Sequence, residues 1–193
     1  MNVTIVGAFP AGRDGDAADL VFEYMAATQA ETGRPVPAGP GELPGVLRRE
    51  CRDLASVYRP PGALLIADCD GRPAGCVGLA ARPGLRTLEV KRLYVRPAFR
   101  RGGIARALMS HAHEHAARHG LTRLVLDVLP AREAVIAFYR GLGYTETAPF
   151  EAGSPVPMIY LERPRTAPRS TRGSAPISAW APRSWPPPLP RRR

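Results

Sequence analysis

The sequence lacks the features that mark disulfide-bonded, zinc-binding or membrane-spanning proteins. Its three cysteines, Cys51, Cys69 and Cys76, form neither a disulfide framework nor a zinc-ligand spacing, so we expect free thiols. No apolar run approaches the roughly 18–20 residues that span a bilayer, and the N-terminus has no charged segment followed by a long apolar stretch of the signal-peptide kind. We therefore expect a soluble, cytoplasmic protein without a membrane partner.

Acidic residues are absent from the last 31 residues, 163–193, which contain eight arginines and eight prolines. Most of the net charge of +10 lies in this tail, because residues 1–162 carry 19 basic and 17 acidic groups. So proline-rich a segment cannot bury enough surface to offset its chain entropy, and we expect it to be disordered. The alternative is an arm for nucleic acid, a membrane surface or a proline-recognising partner. We interpret the tail as a solvated extension and expect no nucleic-acid partner.

The common signatures of nucleotide and metal sites are also missing. The sequence has no G-x-G-x-x-G fingerprint and no P-loop, which would need a lysine followed by serine or threonine. His111, His115 and His119 recur every four residues, a spacing that can bind zinc. Glu114 is the one acid nearby and nothing completes a ligand set, so we expect partly exposed histidines and no metal.

Hydrophobic periodicity predicts one α/β domain over residues 1–162, with the element order β-α-α-β-β-β-α-β-α-β-β. Two of the predicted strands are joined by an Asp70-Gly71 turn, and Asp16 is the predicted N-cap of the first helix. The predicted strands are 3–6, 63–67, 74–80, 88–95, 124–128, 145–147 and 158–161. The helices after the first are predicted at 46–58, 104–119 and 130–140. This order favours a mixed sheet with helices on both faces.

The most informative segment is 88–105, LEVKRLYVRPAFRRGGIA. It predicts a strand that ends at Pro97, then a loop with a glycine pair that opens a long helix. A helix N-terminus offers unpaired N–H groups and the positive end of a dipole, and arginines flank this one. The segment therefore predicts a binding site for phosphate or pyrophosphate.

From Arg100 to Ala105 the pattern R-x-x-G-x-A resembles the acetyl-CoA pyrophosphate loop of the GNAT superfamily of N-acyltransferases. The preceding EVKRLYVRP and the later AVIAFYRGLGY also resemble that superfamily, in the same order and spacing, and the resemblance covers residues 3–162. It implies a mostly antiparallel mixed sheet with one splayed parallel strand pair. It also implies acetyl-CoA as cosubstrate and acetyl transfer to an amine.

The resemblance assigns cofactor contacts to the first strand of that pair and to the loop after it. The backbone of Leu93, Tyr94 and Val95 would pair with the pantetheine arm like an added strand. The residues that would wrap the pyrophosphate are Arg100, Arg101, Gly102, Gly103, Ile104, Ala105 and Arg106. Many members have an asparagine seven residues before the tyrosine that corresponds to Tyr139. This chain has Arg132 at that position, and we expect Arg132 to reach the CoA phosphates.

Acetyl transfer needs a base for the amine and an acid for the departing thiolate. By resemblance Glu89 is the candidate base, and a partly desolvated strand carboxylate suits that task; the alternative is a surface carboxylate paired with Lys91 or Arg92. Asp127, on the second strand of the pair, is the rival base. Tyr139 matches the tyrosine that protonates the thiolate, with a buried structural aromatic as the alternative.

Substrate contacts are expected from the loop between the last two strands, where Phe150 and Glu151 offer an aromatic wall and a carboxylate. A solvent-exposed loop without a substrate role is the alternative. We expect a small polar amine as acceptor, such as an amino acid, an amine or an aminated antibiotic. Two alternative functions stay open: a protein or peptide N-acetyltransferase and a non-catalytic acyl-CoA sensor. The sequence is also compatible with a homodimer.

Overall fold

The computed structural model describes residues 2–150 and 156–164. Within these residues the chain forms seven strands: β1 Val3–Gly7, β2 Ala63–Cys69, β3 Arg72–Ala81, β4 Thr87–Val95, β5 Arg123–Val128, β6 Thr145–Glu146 and β7 Ile159–Pro164. Its α-helices are α1 Asp14–Glu31, α2 Gly45–Arg52, α3 Leu54–Val57, α4 Ile104–Arg118 and α5 Glu133–Arg140. Short 3-10 turns lie at Pro40–Glu42 and Pro97–Phe99.

The strands form one sheet in the order β1-β2-β3-β4-β5-β7-β6, antiparallel except for the neighbours β4 and β5. One apolar core packs α4 and α5 on one face of this sheet, through side chains such as Leu108 and Ile136. A second core packs α1 to α3 on the other face, through side chains such as Leu20 and Leu54. The predicted mixed, mostly antiparallel sheet with helices on both faces is confirmed.

The helix boundaries differ from the prediction where polar side chains redirect the chain. Helix α1 begins at Asp14 with Arg13 as N-cap, and Asp16 lies inside the first turn, where its carboxylate pairs with the Arg13 guanidinium. The predicted helix 46–58 is wrong, because Asp53 ends α2 and starts α3 by accepting a hydrogen bond from the Ser56 N–H at 2.9 Å. Helix α5 begins at Glu133, three residues after Pro130.

Strand β4 carries a bulge in its second half. Lys91 pairs with Gly78 and Tyr94 pairs with Cys76, so two residues of β4 face one residue of β3. Arg92 lies in this bulge with φ of 56°, a left-handed conformation that a non-glycine residue rarely adopts. The bulge bends β4 just after the part of the strand that pairs with β5.

The remaining expectations concern the tail, the histidines and the cysteines. Strand β7 ends at Pro164, and the predicted disorder beyond it lies outside the described residues. No helix within residues 2–150 and 156–164 is long and apolar enough to cross a membrane. His111 and His119 hydrogen-bond carbonyls of their own helix, His115 faces the Pro61 carbonyl, and all three cysteines are free thiols.

Candidate active site

The sheet opens between β4 and β5. The parallel pairing runs from Thr87 and Arg123 only to Glu89 and Val125, although both strands continue beyond it to Val95 and Val128. Backbone N–H and C=O groups that lose a strand partner need another one. The gap therefore suits an extended ligand that carries amide groups, and Leu93 to Val95, the predicted contact residues, lie along it.

A cavity of about 280 Å³ adjoins the end of this gap, at Val95 and the loop that follows β4. It is lined by Val95, Phe99, Arg100, Arg101, Gly103, Ile104, Ala105, Arg106 and Phe138. The lining contains six of the seven loop residues predicted from sequence, all except Gly102. The gap and the loop thus form one continuous groove with positive charge at its outer end.

The N-terminus of α4 opens into this groove. Gly103 is the N-cap, with φ of 78°, and no side chain caps the first turn of the 15-residue helix. A Cβ at Gly103 would meet nothing within 4 Å, so the space in front of the helix is empty of protein. The Arg100 Nε donates to the Val95 carbonyl at 3.0 Å and holds the loop against the strand. Free N–H groups and arginines in this arrangement suit a pyrophosphate.

Glu89 lies at the last paired position of β4, at the root of the gap, and is 5% exposed. Its carboxylate accepts hydrogen bonds from the Lys91 Nζ at 2.8 Å and from the Arg82 Nη1 at 3.0 Å. The carboxylate is buried and paired with two cations, of which sequence considerations named only Lys91. Arg92 turns to the opposite side because the bulge reverses its backbone.

Asp127 lies two residues beyond the last paired position of β5, inside the splayed part of the sheet. Tyr160 of β7 is its antiparallel partner, so Asp127 belongs to the strand wall opposite Glu89 and Lys91. The negative charge of Asp127 is among the causes that raise the pKa of Tyr139. Both candidate bases therefore belong to the two strands that border the gap.

Tyr139 is 5% exposed and lies between two aromatic rings, with centroids at 5.4 Å to Phe138 and 5.3 Å to Tyr144. Burial raises the pKa of Tyr139 well above its ordinary value, as do the nearby Tyr144 and Tyr24, while the charge of Arg132 lowers it. The phenol therefore keeps its proton at neutral pH. That state is the one a hydrogen-bond donor to a thiolate requires.

Arg132 is bound to α1. Its Nε and Nη2 donate to one carboxylate oxygen of Glu31 at 2.9 and 2.6 Å, its Nη2 also donates to the Thr28 hydroxyl at 3.0 Å, and its Nη1 contacts the Tyr24 hydroxyl at 3.4 Å. Arg132 is not among the residues that line the cavity at the loop. Helix α1 thus holds the guanidinium, and the expected contact of Arg132 with the CoA phosphates stays a prediction.

Phe150 packs in an edge-to-face arrangement on Tyr160, with ring centroids 5.1 Å apart. The Arg82 guanidinium lies 4.9 Å above the Phe150 ring and donates to its carbonyl at 2.7 Å. Arg82 therefore connects the loop before β7 to Glu89 at the root of the gap. Glu151, the second predicted substrate residue, lies outside the described residues.

Sequence considerations missed two residues that organise the site. Tyr24 of α1 lies beside two cations, because the guanidinium carbons of Arg92 and Arg132 lie 5.5 and 5.9 Å from its ring centroid. Arg82 binds both the Glu89 carboxylate and the Phe150 carbonyl. Both roles depend on contacts between segments far apart in the chain, for which no local pattern exists.

The sequence matches the model of the acetyltransferase (GNAT) family over residues 29–144. It is 32% identical over 113 residues to an IAA acetyltransferase of Azospirillum brasilense, covering 58% of this chain and 74% of that protein. It is 33% identical over 110 residues to an L-2,4-diaminobutyric acid acetyltransferase of Nocardia farcinica, covering 53% of this chain and 54% of that protein. The chain thus spans only part of the length of these relatives.

Solved structures with the same fold include an acetyltransferase of the GNAT family from Staphylococcus aureus, at a TM-score of 0.65 and 12% identity, covering 84% of this chain and 99% of that one. The PaiA N-acetyltransferase of Thermoplasma acidophilum, solved in complex with coenzyme A, has a TM-score of 0.59 and 16% identity, covering 85% and 99%. At these identities the likeness establishes the fold.

Proposed function

The chain belongs to the GNAT acetyltransferase family and is therefore an N-acetyltransferase, and from this premise we propose that it transfers an acetyl group from acetyl-CoA directly to the primary amine of a small polar molecule. The observation that carries the proposal is the groove formed by the parted strands β4 and β5, the adjoining cavity and the uncapped start of α4. Strand edge, loop and helix terminus offer the contacts that a long, amide-bearing, phosphorylated cosubstrate needs.

The arginines and the open strand edge of the groove support acetyl-CoA as the cosubstrate. Amide N–H groups at the start of α4 and the side chains of Arg100, Arg101 and Arg106 would hold the pyrophosphate, each charge-assisted hydrogen bond contributing about 1.5–3 kcal/mol. The open edge of β4 from Leu93 to Val95 would hold the pantetheine arm. Acetyl-CoA supplies the activated acyl group as a thioester.

The chain's own residues handle two protons. The attacking amine must first lose a proton from its ammonium form, and we propose that Glu89 accepts it at the root of the gap, with Asp127 as the alternative acceptor. As the N–C bond forms and the C–S bond breaks, the electron pair stays on sulfur. Tyr139 donates its phenolic hydrogen to that sulfur and regains a proton from solvent.

The acceptor side supports a small polar amine. Arg82 pairs with Glu89 and lies over the Phe150 ring, which packs on Tyr160, so aromatic and charged side chains adjoin the candidate base. The relative from Nocardia is named for a diamino acid, and its region of similarity to this chain includes 110 residues. The name of this relative favours a small amine or amino acid as acceptor.

The test is an acceptor panel of amino acids, diamines, aminated antibiotics and short peptides, followed by thiol release and by the mass of each product. The proposal is supported if the mass of a small amine rises by 42 Da, as it does when an acetyl group replaces a hydrogen, and an equal amount of CoA is released. Acetylation confined to peptides would replace it with the peptide alternative, and acetyl-CoA binding with no acceptor at all would favour a sensor. Glu89→Gln and Asp127→Asn on the best acceptor then decide which carboxylate is the base, since its loss should lower turnover about 10²–10⁴-fold.

A further inference from the structure

Helix α1 is joined by ion pairs to the chain at the end of each strand that borders the gap. Arg96, the first residue after β4, donates from Nε and Nη2 to the Glu23 carboxylate at 2.9 and 2.7 Å. Arg132, shortly after the end of β5, donates from Nε and Nη2 to the Glu31 carboxylate at 2.9 and 2.6 Å. One helix therefore holds both sides of the gap.

The two anchor points on α1 lie far apart. Glu23 and Glu31 are eight residues apart in one helix, which is about 12 Å along its axis at a rise of about 1.5 Å per residue. Hydrogen-bonded strands lie only about 4.8 Å apart. The pairing of β4 with β5 ends at Glu89 and Val125. Beyond that point the anchors on α1 are far enough apart to keep the strand ends separated.

The side chain of Tyr24, between these anchors in α1, contacts both sides of the gap. On the β4 side, its ring packs edge-to-face on Tyr94 with centroids 6.5 Å apart, and the Arg92 guanidinium carbon lies 5.5 Å from its centroid. On the β5 side, the Arg132 Nη1 lies 3.4 Å from its hydroxyl. Arg132 also donates to the Thr28 hydroxyl at 3.0 Å. These contacts form a continuous row from β4 through α1 to the segment after β5.

We infer that Glu31 and Arg132 are positioning residues that hold the gap between β4 and β5 at the width that the pantetheine arm of CoA requires. The inference rests on the proposed function, because that arm is the proposed occupant of the gap. Neither residue touches the cosubstrate in this role. Through α1, their ion pair keeps the strand edge from Leu93 to Val95 open before the cosubstrate arrives, so that binding has less of the protein to order. Direct contact of Arg132 with the CoA phosphates is the competing role.

The test measures by calorimetry the affinity for CoA and for adenosine 3′,5′-bisphosphate, the part of CoA that lacks the pantetheine arm. Glu31→Gln should weaken CoA binding about five-fold, as expected for a partly exposed ion pair. Arg132→Gln should weaken it about five- to thirty-fold, because Tyr24 and Thr28 lose a partner as well. Both variants should bind adenosine 3′,5′-bisphosphate as the native protein does, since that ligand does not enter the gap. The double variant should bind CoA no more weakly than Arg132→Gln, because the two residues act as one pair.

Arg140→Gln, which breaks the exposed pair with Glu146, is the matched control and should leave both affinities unchanged. The Glu31 side chain is 58% exposed, so Glu31→Gln tests the pair even if Arg132→Gln does not fold. Unchanged CoA affinity in Glu31→Gln, equal weakening of both ligands in Arg132→Gln, or additive losses in the double variant would overturn the inference. Failure of the native protein to bind CoA would overturn the proposed function as well.

Discussion

Arg92 donates two hydrogen bonds to the carboxylate of Glu50, at 2.9 and 2.6 Å, and joins the bulge of β4 to helix α2. The Tyr58 hydroxyl donates to the same carboxylate at 2.7 Å, so a phenol and a guanidinium share one buried acid. Burial alone would raise the pKa of Glu50, but the hydrogen bond and charge of Arg92, with the Tyr58 hydroxyl, lower it. This ion pair secures the left-handed backbone of Arg92, and with it the bend that opens the gap.

Breaking this pair should destabilise the fold strongly. Arg92→Met leaves the Glu50 carboxylate buried without its cation, and Glu50→Gln leaves the guanidinium without its anion, so each should cost about 3–5 kcal/mol of unfolding free energy. Urea unfolding followed by circular dichroism measures the loss. Arg140→Gln, which breaks the exposed pair with Glu146, is the matched control and should cost less than about 1 kcal/mol. If both ion pairs lost the same unfolding free energy, burial would not be the reason that the pair of Arg92 and Glu50 stabilises the fold.

His113 should make the protein sensitive to mild acid. Burial and the charge of Arg163 lower the pKa of His113 from 6.5 to about 4, and its Nε2 lies 3.2 Å from the Tyr144 hydroxyl. Protonation therefore favours the unfolded chain, so the stabilising contribution is complete above pH 6.5 and is lost as pH falls toward 4. We expect unfolding free energy to fall less between pH 7 and 4.5 in His113→Gln than in the native protein. An unchanged fall in His113→Gln would refute the assignment.

Gly103 should control cofactor affinity. A Cβ at this position has open space, but φ of 78° strains any other residue by about 1–2 kcal/mol, and the added methyl would point into the space before α4. Gly103→Ala should therefore weaken acetyl-CoA binding about ten-fold or more, measured by calorimetry. Gly84→Ala, with φ of 73° and equally open surroundings in the turn before β4, carries the same strain and should leave affinity unchanged. An equal loss of acetyl-CoA affinity in Gly103→Ala and Gly84→Ala would mean that backbone strain alone, and not the added methyl group at Gly103, weakens binding.

Tyr139→Phe should lower kcat by about 10²–10⁴-fold, because the departing sulfur loses its hydrogen-bond donor. The affinity for acetyl-CoA should hardly change, since the ring keeps its packing against Phe138 and Tyr144. Steady-state kinetics with the best acceptor, together with cofactor binding, separates the two effects. Tyr144→Phe, whose hydroxyl bonds to His113, is the control and should keep most of the activity. Full turnover in Tyr139→Phe would remove the phenol from the mechanism.

The strands and the loop that opens α4 were predictable from sequence because their signals are local. The Asp70-Gly71 turn, with φ of 50° and 79°, connects β2 and β3 as predicted, and the glycine pair opens the long helix α4 as predicted. The order of elements also followed from periodicity alone, apart from the break that Asp53 introduces between α2 and α3.

The partners of the charged site residues were not predictable, because they come from distant segments. Arg92 follows Lys91 in sequence and was considered as a partner of Glu89, but the bulge sends its side chain to Glu50, 42 residues away. Arg132 meets Glu31 across 101 residues and Glu89 meets Arg82 through a turn. Local patterns carry no information about which of several arginines reaches a given carboxylate.

The central claim is that acetyl-CoA lies between β4 and β5 with its pyrophosphate at the start of α4. A crystal structure of the protein with CoA tests it most directly. We expect the pyrophosphate within hydrogen-bond distance of the N–H groups that follow Gly103, the pantetheine amides on the backbone from Leu93 to Val95, and the sulfur beside Tyr139. CoA bound elsewhere, with strands β4 and β5 still parted and empty, would contradict the account.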